Sequence, residues 1–126
     1  MGLLRESAGQ FDLAVAEYEA ALAGVPADER GALYGYLGNA HAQAGHFHAA
    51  QRAYRRALRA DPHDAPILNN LAHAYSQEGE HLDEAALLVH QAMALDPTRM
   101  PVYLDTLAAI RAARAHRSPG EGADGS

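Results

Sequence analysis

The residues most capable of chemistry are concentrated between positions 31 and 62. This segment, GALYGYLGNAHAQAGHFHAAQRAYRRALRADP, holds three histidines, four arginines and an asparagine. Histidine could ligate a metal ion or transfer a proton, and arginine could hold a phosphate or a carboxylate. The segment is therefore consistent with a metal site, a nucleic-acid site or a surface with neither.

The histidines do not form a metal-ligand set. The closest pair, His46 and His48, would point in different directions on a helix, because residues two apart do not face each other. The chain has no Cys, and no acidic residue nearby completes the ligands that zinc requires. The sequence predicts no metal site.

The arginines form a basic stripe on one helical face, with the spacing i, i+3, i+4, i+7. They are Arg52, Arg55, Arg56 and Arg59. A nucleic-acid site would need interleaved aromatic residues or a continuing basic track, and the net charge of −6 opposes such a partner. The neighbouring segments are acidic, so the stripe could pair with adjacent parts of the chain, meet an acidic surface on another molecule, or be solvated.

Enzymatic motifs are missing from the sequence. All ten basic residues are Arg, which removes lysine Schiff-base chemistry and the P-loop lysine. No G-x-S-x-G, H-E-x-x-H or Gly-rich phosphate loop occurs. We expect a protein that is not an enzyme and uses no cofactor.

The composition favours one all-α domain. Alanine is the commonest residue and β-branched residues are scarce, which favours helix over strand. No window approaches the roughly 18 apolar residues of a membrane span, so we expect a soluble chain, in the cytoplasm, with no membrane partner.

An internal repeat explains most of the pattern. Five residues of the first copy recur 34 residues later: Tyr34, Leu37, Gly38, His41 and Gly45 become Leu68, Leu71, Ala72, Tyr75 and Gly79. The following half recurs after 35 residues, from Ala50, Tyr54, Ala57, Leu58 and Pro62 to Ala85, Val89, Ala92, Met93 and Pro97. An earlier half copy precedes it by 36 residues, and a later one is read at Leu104, Leu107 and Ala108.

Each copy predicts two amphipathic helices joined by a glycine turn. Gly45 and Gly79, and Gly9 in the earlier half copy, take the place where a helix prefers a left-handed residue. Pro62 and Pro97 end the second helices. A single pair cannot bury its apolar stripe, whereas stacked pairs can.

This pattern resembles the tetratricopeptide repeat family. Nine residues carry the resemblance: Tyr34, Leu37, Gly38, Gly45, Phe47, Ala50, Tyr54, Ala57 and Pro62. It implies a right-handed superhelix (an α-solenoid) of antiparallel helix pairs, with two whole repeats flanked by half repeats. We expect one domain over 1–116, with a partial repeat at about 1–28, repeats at about 31–64 and 65–99, and a capping helix at about 101–116.

The two ends carry separate expectations. The tail 117–126 is expected to be disordered. The first helix is expected to be truncated to Leu3–Ala8, so that either the array was cut from a longer one or a partner chain covers the apolar edge near Leu3, Leu4 and Phe11.

The resemblance also implies a concave groove, lined by the first helix of each pair, that holds a peptide. The expected groove residues are Tyr36, Asn39, Gln43, Asn69, Asn70, His73, Gln77, Val102, Asp105, Thr106 and Ala109. Asn and Gln can both donate and accept hydrogen bonds, as a peptide main chain requires, although the asparagines could equally be solvated consensus residues. His73 could tune binding near neutral pH, and His41 is expected to replace a core aromatic.

Some family members clamp a C-terminal carboxylate with two asparagines and a set of cations. Asn39 and Asn70 stand at the asparagine places, but the basic places hold Gly35, Val102 and Thr106. Without a cation there, that clamp is not expected to work.

The sequence thus predicts a non-enzymatic interaction module that binds a segment of another protein in its groove. The alternative is a structural element that forms homo-oligomers through its N-terminal edge and its complementary charged faces.

Overall fold

The computed structural model describes the backbone of residues 2–125 and the side chains of residues 9–116. Six α-helices account for nearly all of it. They are α1 (Gly2–Ala23), α2 (Arg30–Gln43), α3 (Phe47–Ala60), α4 (Ala65–Glu78), α5 (Leu82–Leu95) and α6 (Met100–Gly125). Short 3-10 turns, Ala27–Glu29 and Pro97–Arg99, precede α2 and α6, and the described backbone contains no strand. The all-α prediction is confirmed.

The helices pack in the order of the chain. Helices α2 and α3 form one hairpin and α4 and α5 the next, while α3 packs on α4 and α6 packs on both α4 and α5. First helices also meet one another, since α2 touches α4. Each hairpin therefore buries its apolar face against the next one, as stacked repeats require.

Two of the three predicted glycine turns are confirmed. Gly45 and Gly79 have φ values of 84° and 67°, in the left-handed region that ends a helix at little cost only for glycine. The prediction at Gly9 is wrong, because Gly9 lies inside the continuous helix α1. The helical backbone of α1 continues through this glycine.

Small residues allow the paired helices to approach closely, as predicted. A Cβ on Gly38 would lie 2.5 Å from the Tyr54 ring, and Ala50, Ala72 and Ala85 have no exposed surface. The aromatic rings of Tyr54 and Tyr75 fill the space that remains between the hairpins. This is native-like interdigitation of large and small side chains.

The register predicted for the last helix is wrong by one residue. Tyr103, Thr106 and Ile110 are buried, whereas Leu104 is 50% exposed and Ala108 is exposed. The hydroxyl of Tyr103 donates a hydrogen bond to the Oδ2 of Asp96 at 3.1 Å, and α6 packs on α4 and α5 with this face inward. The repeat spacing here is therefore one residue shorter than the spacing that the sequence pattern predicts.

The ends of the chain differ from the predicted boundaries. Helix α6 runs to Gly125, beyond the predicted end near residue 116. The predicted disorder of 117–126 concerns residues whose side chains lie outside the described part, as do Leu3 and Leu4 of the predicted N-terminal edge.

Candidate peptide-binding groove

The predicted groove residues are divided between surface and interior. Those of α2 and α4 that lie at least partly at the surface are Tyr36, Asn39, Gln43, Asn70, His73 and Gln77. On α6, Val102 and Asp105 are exposed and Ala109 is half-buried. The structure thus brings residues of α2 and α4 together around one surface, to which it adds Ala42.

Asn69 and Thr106 were predicted to face the groove, and both predictions are wrong. Each is only 4% exposed. Asn69 is equivalent to Gly35 one repeat earlier, and Gly35 faces Ile67 on the following first helix, so Asn69 occupies a helix contact rather than the surface. Thr106 falls on the buried face of α6 because of the one-residue change of register.

Asn39 is at the centre of the surface. Its Oδ1 accepts one hydrogen bond from the Tyr54 hydroxyl at 2.7 Å and another from the Nδ2 of Asn70 at 3.1 Å. Helices hold both partners, since Tyr54 is 2% exposed on α3 and Asn70 lies on α4. Burial also raises the pKa of the Tyr54 hydroxyl, which favours its protonated, donating form. The side chain of Asn39 is therefore fixed before any ligand arrives.

The same network leaves specific atoms available. No described residue hydrogen-bonds to the Nδ2 of Asn39 or to the Oδ1 of Asn70. The Nδ2 of Asn39 is a donor and the Oδ1 of Asn70 is an acceptor. A peptide group has one acceptor and one donor that could pair with them.

Three hollows meet at Asn39. The largest, a cleft of about 540 Å³, lies between the N-terminal ends of α2 and α4. A hollow of about 370 Å³ separates α1 from α2 and is lined by Phe11, Tyr18 and Tyr36. A third, of about 200 Å³, lies beside Asn70 and His73. The polar residues on the first helices predicted this surface from the sequence. The three hollows could not be predicted from the sequence.

His73 lies in the third hollow. Its Nε2 is 3.4 Å from the Nε2 of Gln77, and although the side chain is exposed, desolvation by neighbouring protein atoms lowers its pKa. A neutral imidazole is therefore favoured, and it can donate or accept a hydrogen bond in the groove. His41, predicted as a core substitute, is only half-buried, and desolvation lowers its pKa as well.

The arginine stripe lies on the outer surface of α3, and its four residues are exposed. Arg55 donates to the hydroxyl of Tyr75 through Nε at 3.1 Å and Nη2 at 2.8 Å, and Arg56 stacks 5.4 Å from the centre of the Tyr34 ring. No ion pair between the stripe and an acid is found among the described side chains. The acidic neighbour Glu84 reaches Arg55 only through the shared Tyr75 hydroxyl, which lies 3.5 Å from its Oε2.

The described part of the chain shows neither a cluster of metal ligands nor a membrane-spanning helix. Among the side chains of residues 9–116, no three His, Asp or Glu groups lie together as a metal site would require. No helix in the described part of the chain combines the length and the apolar character that crossing a bilayer would demand.

Comparison with known families agrees with the hairpin stack. Residues 30–74 match the family described as tetratricopeptide repeat. This segment of the chain is therefore similar to a tetratricopeptide repeat. The matched segment spans α2, α3 and most of α4, which are the helices that form the surface around Asn39. No curated protein matches the chain.

Tetratricopeptide repeats generally mediate interactions between proteins. In the carboxylate clamp known from the family, the corrected register of α6 moves the basic places from Val102 and Thr106 to Pro101 and Asp105. Neither residue is a cation, so the reason for expecting no such clamp remains.

Proposed function

We propose that this tetratricopeptide protein binds an extended segment of a partner protein along the surface formed by α2 and α4. The observation that carries the proposal is the fixed amide of Asn39, which lines all three hollows. A preorganised donor costs little conformational entropy on binding. Together with the acceptor on Asn70 it can pair with one peptide group of a ligand whatever its side chains.

The remaining residues supply contacts on either side of that pair. Tyr36 is 55% exposed and offers an aromatic surface, while Gln43 and His73 offer further hydrogen bonds. Aromatic residues flanked by adaptable polar groups are common at protein interfaces. We propose no enzymatic role for this surface.

The test is a selection of peptides from a random library, followed by affinity measurement of the selected peptides by fluorescence anisotropy. The double variant Asn39→Ala, Asn70→Ala should bind them about tenfold or more weakly, because it removes two hydrogen bonds at a desolvated site. Gln91→Ala, an exposed position on α5, is the matched control. Equal binding by the double variant would overturn the proposed site.

Self-association is a second candidate. The exposed large apolar residues include Leu13 on α1, at 61%, and Leu104 on α6, at 50%, which lie on the first and last helices of the stack. Contact between unlike ends would produce chains of molecules rather than closed dimers. Sedimentation over a concentration series tests this candidate: the mass should rise above 13.4 kDa and return to it in a Leu13→Gln, Leu104→Gln variant.

A further inference from the structure

The cleft between the N-terminal ends of α2 and α4 differs in chemistry from the rest of the groove. Its volume is about 540 Å³, and its floor consists of small or apolar residues: Gly31, Ala32, Gly35, Ala57, Ala60 and Ile67. The two glycines let α2 approach its neighbours closely at this floor, because a Cβ at Gly31 would lie 2.6 Å from that of Ala60 and one at Gly35 would lie 3.2 Å from the Cδ1 of Ile67. The floor can accept an aliphatic chain.

Four carboxylates line the same cleft: Asp28, Glu29, Asp61 and Asp64. The Oδ1 of Asp64 accepts a hydrogen bond from the amide of Ile67, and the Oδ1 of Asp61 accepts one from the amide of His63. The second oxygen of each, and both carboxylates of the 3-10 turn, have no hydrogen-bond or ion-pair partner among the described residues. The nearest arginine in sequence, Arg30, is instead bound through Nε to the carbonyl of Val25 at 2.9 Å.

The charge is spread along the cleft. No three of these carboxylates converge as ligands of a metal ion would. The C-terminal turn of α3 brings a negative helix end to the cleft and the first turns of α2 and α4 bring positive ends, so the carboxylates supply its net negative charge. Such a distributed negative field suits an elongated cation better than a small one.

Tyr36 supplies an aromatic wall. It lines the cleft, is 55% exposed, and is held by stacking on Tyr18, with 6.0 Å between the ring centres. The face of a tyrosine ring attracts ammonium and guanidinium groups. Aliphatic floor, aromatic wall and carboxylate rim together match the three parts of a long basic side chain, whose methylene groups bury while its charged end remains near water.

We propose that this cleft binds the side chain of an arginine or lysine in the partner segment, and so makes the protein selective for basic partners. The proposal rests on the proposed function, since the same segment would continue past Asn39, which lines both the cleft and the polar groove. It adds the chemistry of the partner, which the asparagine pair alone does not specify.

The test uses ¹⁵N-labelled protein and three acetylated, amidated tripeptides, Ala-Arg-Ala, Ala-Gln-Ala and Ala-Glu-Ala, titrated to millimolar concentration. The amide signals of Gly31 and Gly35 report on the cleft, and the side-chain amide signals of Asn39 and Asn70 report on the groove. We expect saturable shifts of the glycine signals with the arginine peptide and about tenfold weaker binding of the glutamine peptide. Raising NaCl from about 50 to about 500 mM should weaken only the arginine peptide, because salt screens its attraction to the carboxylates.

Two charge-matched variants complete the test. Asp28→Asn, Glu29→Gln should weaken the preference for arginine, whereas Asp12→Asn, Glu17→Gln, which removes the same charge from exposed positions on α1, should leave it unchanged. Asp64 is left intact because it caps α4.

Three results would overturn the proposal. Equal binding of all three peptides, with shifts at the two asparagines only, would leave the proposed function standing and remove the basic selectivity. Absence of any shift, in a protein that still binds library-selected peptides, would have the same consequence. Concentration-dependent glycine shifts without any peptide would assign the cleft to a second copy of this chain.

Discussion

Residues 31–64 and 65–99 follow the same hairpin plan but differ in how much of their first helix is buried. Nine of the 14 residues of α4 are buried, against four of the 14 in α2. Helix α4 is covered by α3, α5 and α6, whereas α2 is covered mainly by α1 and α3. Position in the stack, rather than the consensus sequence, therefore decides how much of each first helix is buried.

The difference in burial between the two repeats should have its largest effect on stability at Tyr75 of α4 and its counterpart His41 of α2. Tyr75 is 1% exposed, and its hydroxyl binds Arg55, while its counterpart His41 is half-buried with an Nδ1 that lacks a partner among the described residues. Tyr75→Ala should lower the free energy of unfolding by about 3–5 kcal/mol, and His41→Ala should lower it by less than about 1.5 kcal/mol. Urea unfolding followed by circular dichroism measures both, and equal losses would refute the distinction between the repeats.

A second expected difference concerns the close approach of the helices in the first repeat. A Cβ at Gly38 would meet the Tyr54 ring, and that ring cannot move easily because its hydroxyl is bound to Asn39. Gly38→Ala should therefore cost about 1–3 kcal/mol of stability, despite the better helix propensity of alanine.

Gly9→Ala is the matched control for that change. Gly9 lies within α1, and a methyl group added to it would have no neighbour within 4 Å, so alanine should stabilise the protein by about 0.5–1 kcal/mol. Thermal unfolding distinguishes the two signs. A loss of stability at Gly9 would mean that the helix is broken there.

The N-terminal caps of α2 and α4 should differ in their contribution to stability by a smaller amount. The Oδ1 of Asp64 caps α4 at 3.2 Å from the amide of Ile67, whereas Glu29 makes no such bond at the start of α2. Asp64→Ala should cost about 1 kcal/mol, and Glu29→Ala should be close to neutral. Hydrogen exchange in the first turn of each helix would locate the effect, and unchanged protection in α4 would contradict it.

The smallest expected effect is a dependence of stability on pH. Desolvation lowers the pKa of His41 in the folded chain below its ordinary value of 6.5, so the unfolded chain binds the proton more readily. Stability is therefore complete above that ordinary value and falls as the pH drops from there toward the folded pKa. His41→Tyr, which copies the second repeat, should reduce this loss.

Urea midpoints at about pH 7.5 and about pH 5.5, on either side of the ordinary histidine pKa, test that prediction. His63→Gln, at an exposed loop position, serves as the control substitution. An unchanged difference between the two midpoints in His41→Tyr would exclude His41 as the source, leaving His73, whose pKa is lowered by the same cause.

The sequence was sufficient to predict the hairpins because glycine turns and apolar spacing are local signals. It failed on α6 because YLDTLAAI has apolar residues at 103, 104, 107 and 110, which fit either of two spacings that differ by one residue. Packing of α6 on α4 and α5, which buries Tyr103 and Ile110, selects one of them. It failed at Gly9 because glycine permits a turn but does not require one, and α1 is continuous through this residue.

The groove was predictable in part for the same reason. Periodicity places Asn39 and Asn70 on first helices, but neither their mutual hydrogen bond nor the carboxylate-lined cleft follows from spacing within one repeat. Asn69 was misplaced because a polar residue was expected to face water. The structure buries it, with an Oδ1 that has no partner among the described residues.

The Tyr75 hydroxyl, which Arg55 of one repeat and Glu84 beyond the next turn both approach, has a consequence for how the molecule unfolds. It joins α3, α4 and α5, and so contributes to the energy between neighbouring repeats instead of the intrinsic stability of either one. In a linear array, interface energy of this kind sets cooperativity. We expect the two repeats to melt in a single transition.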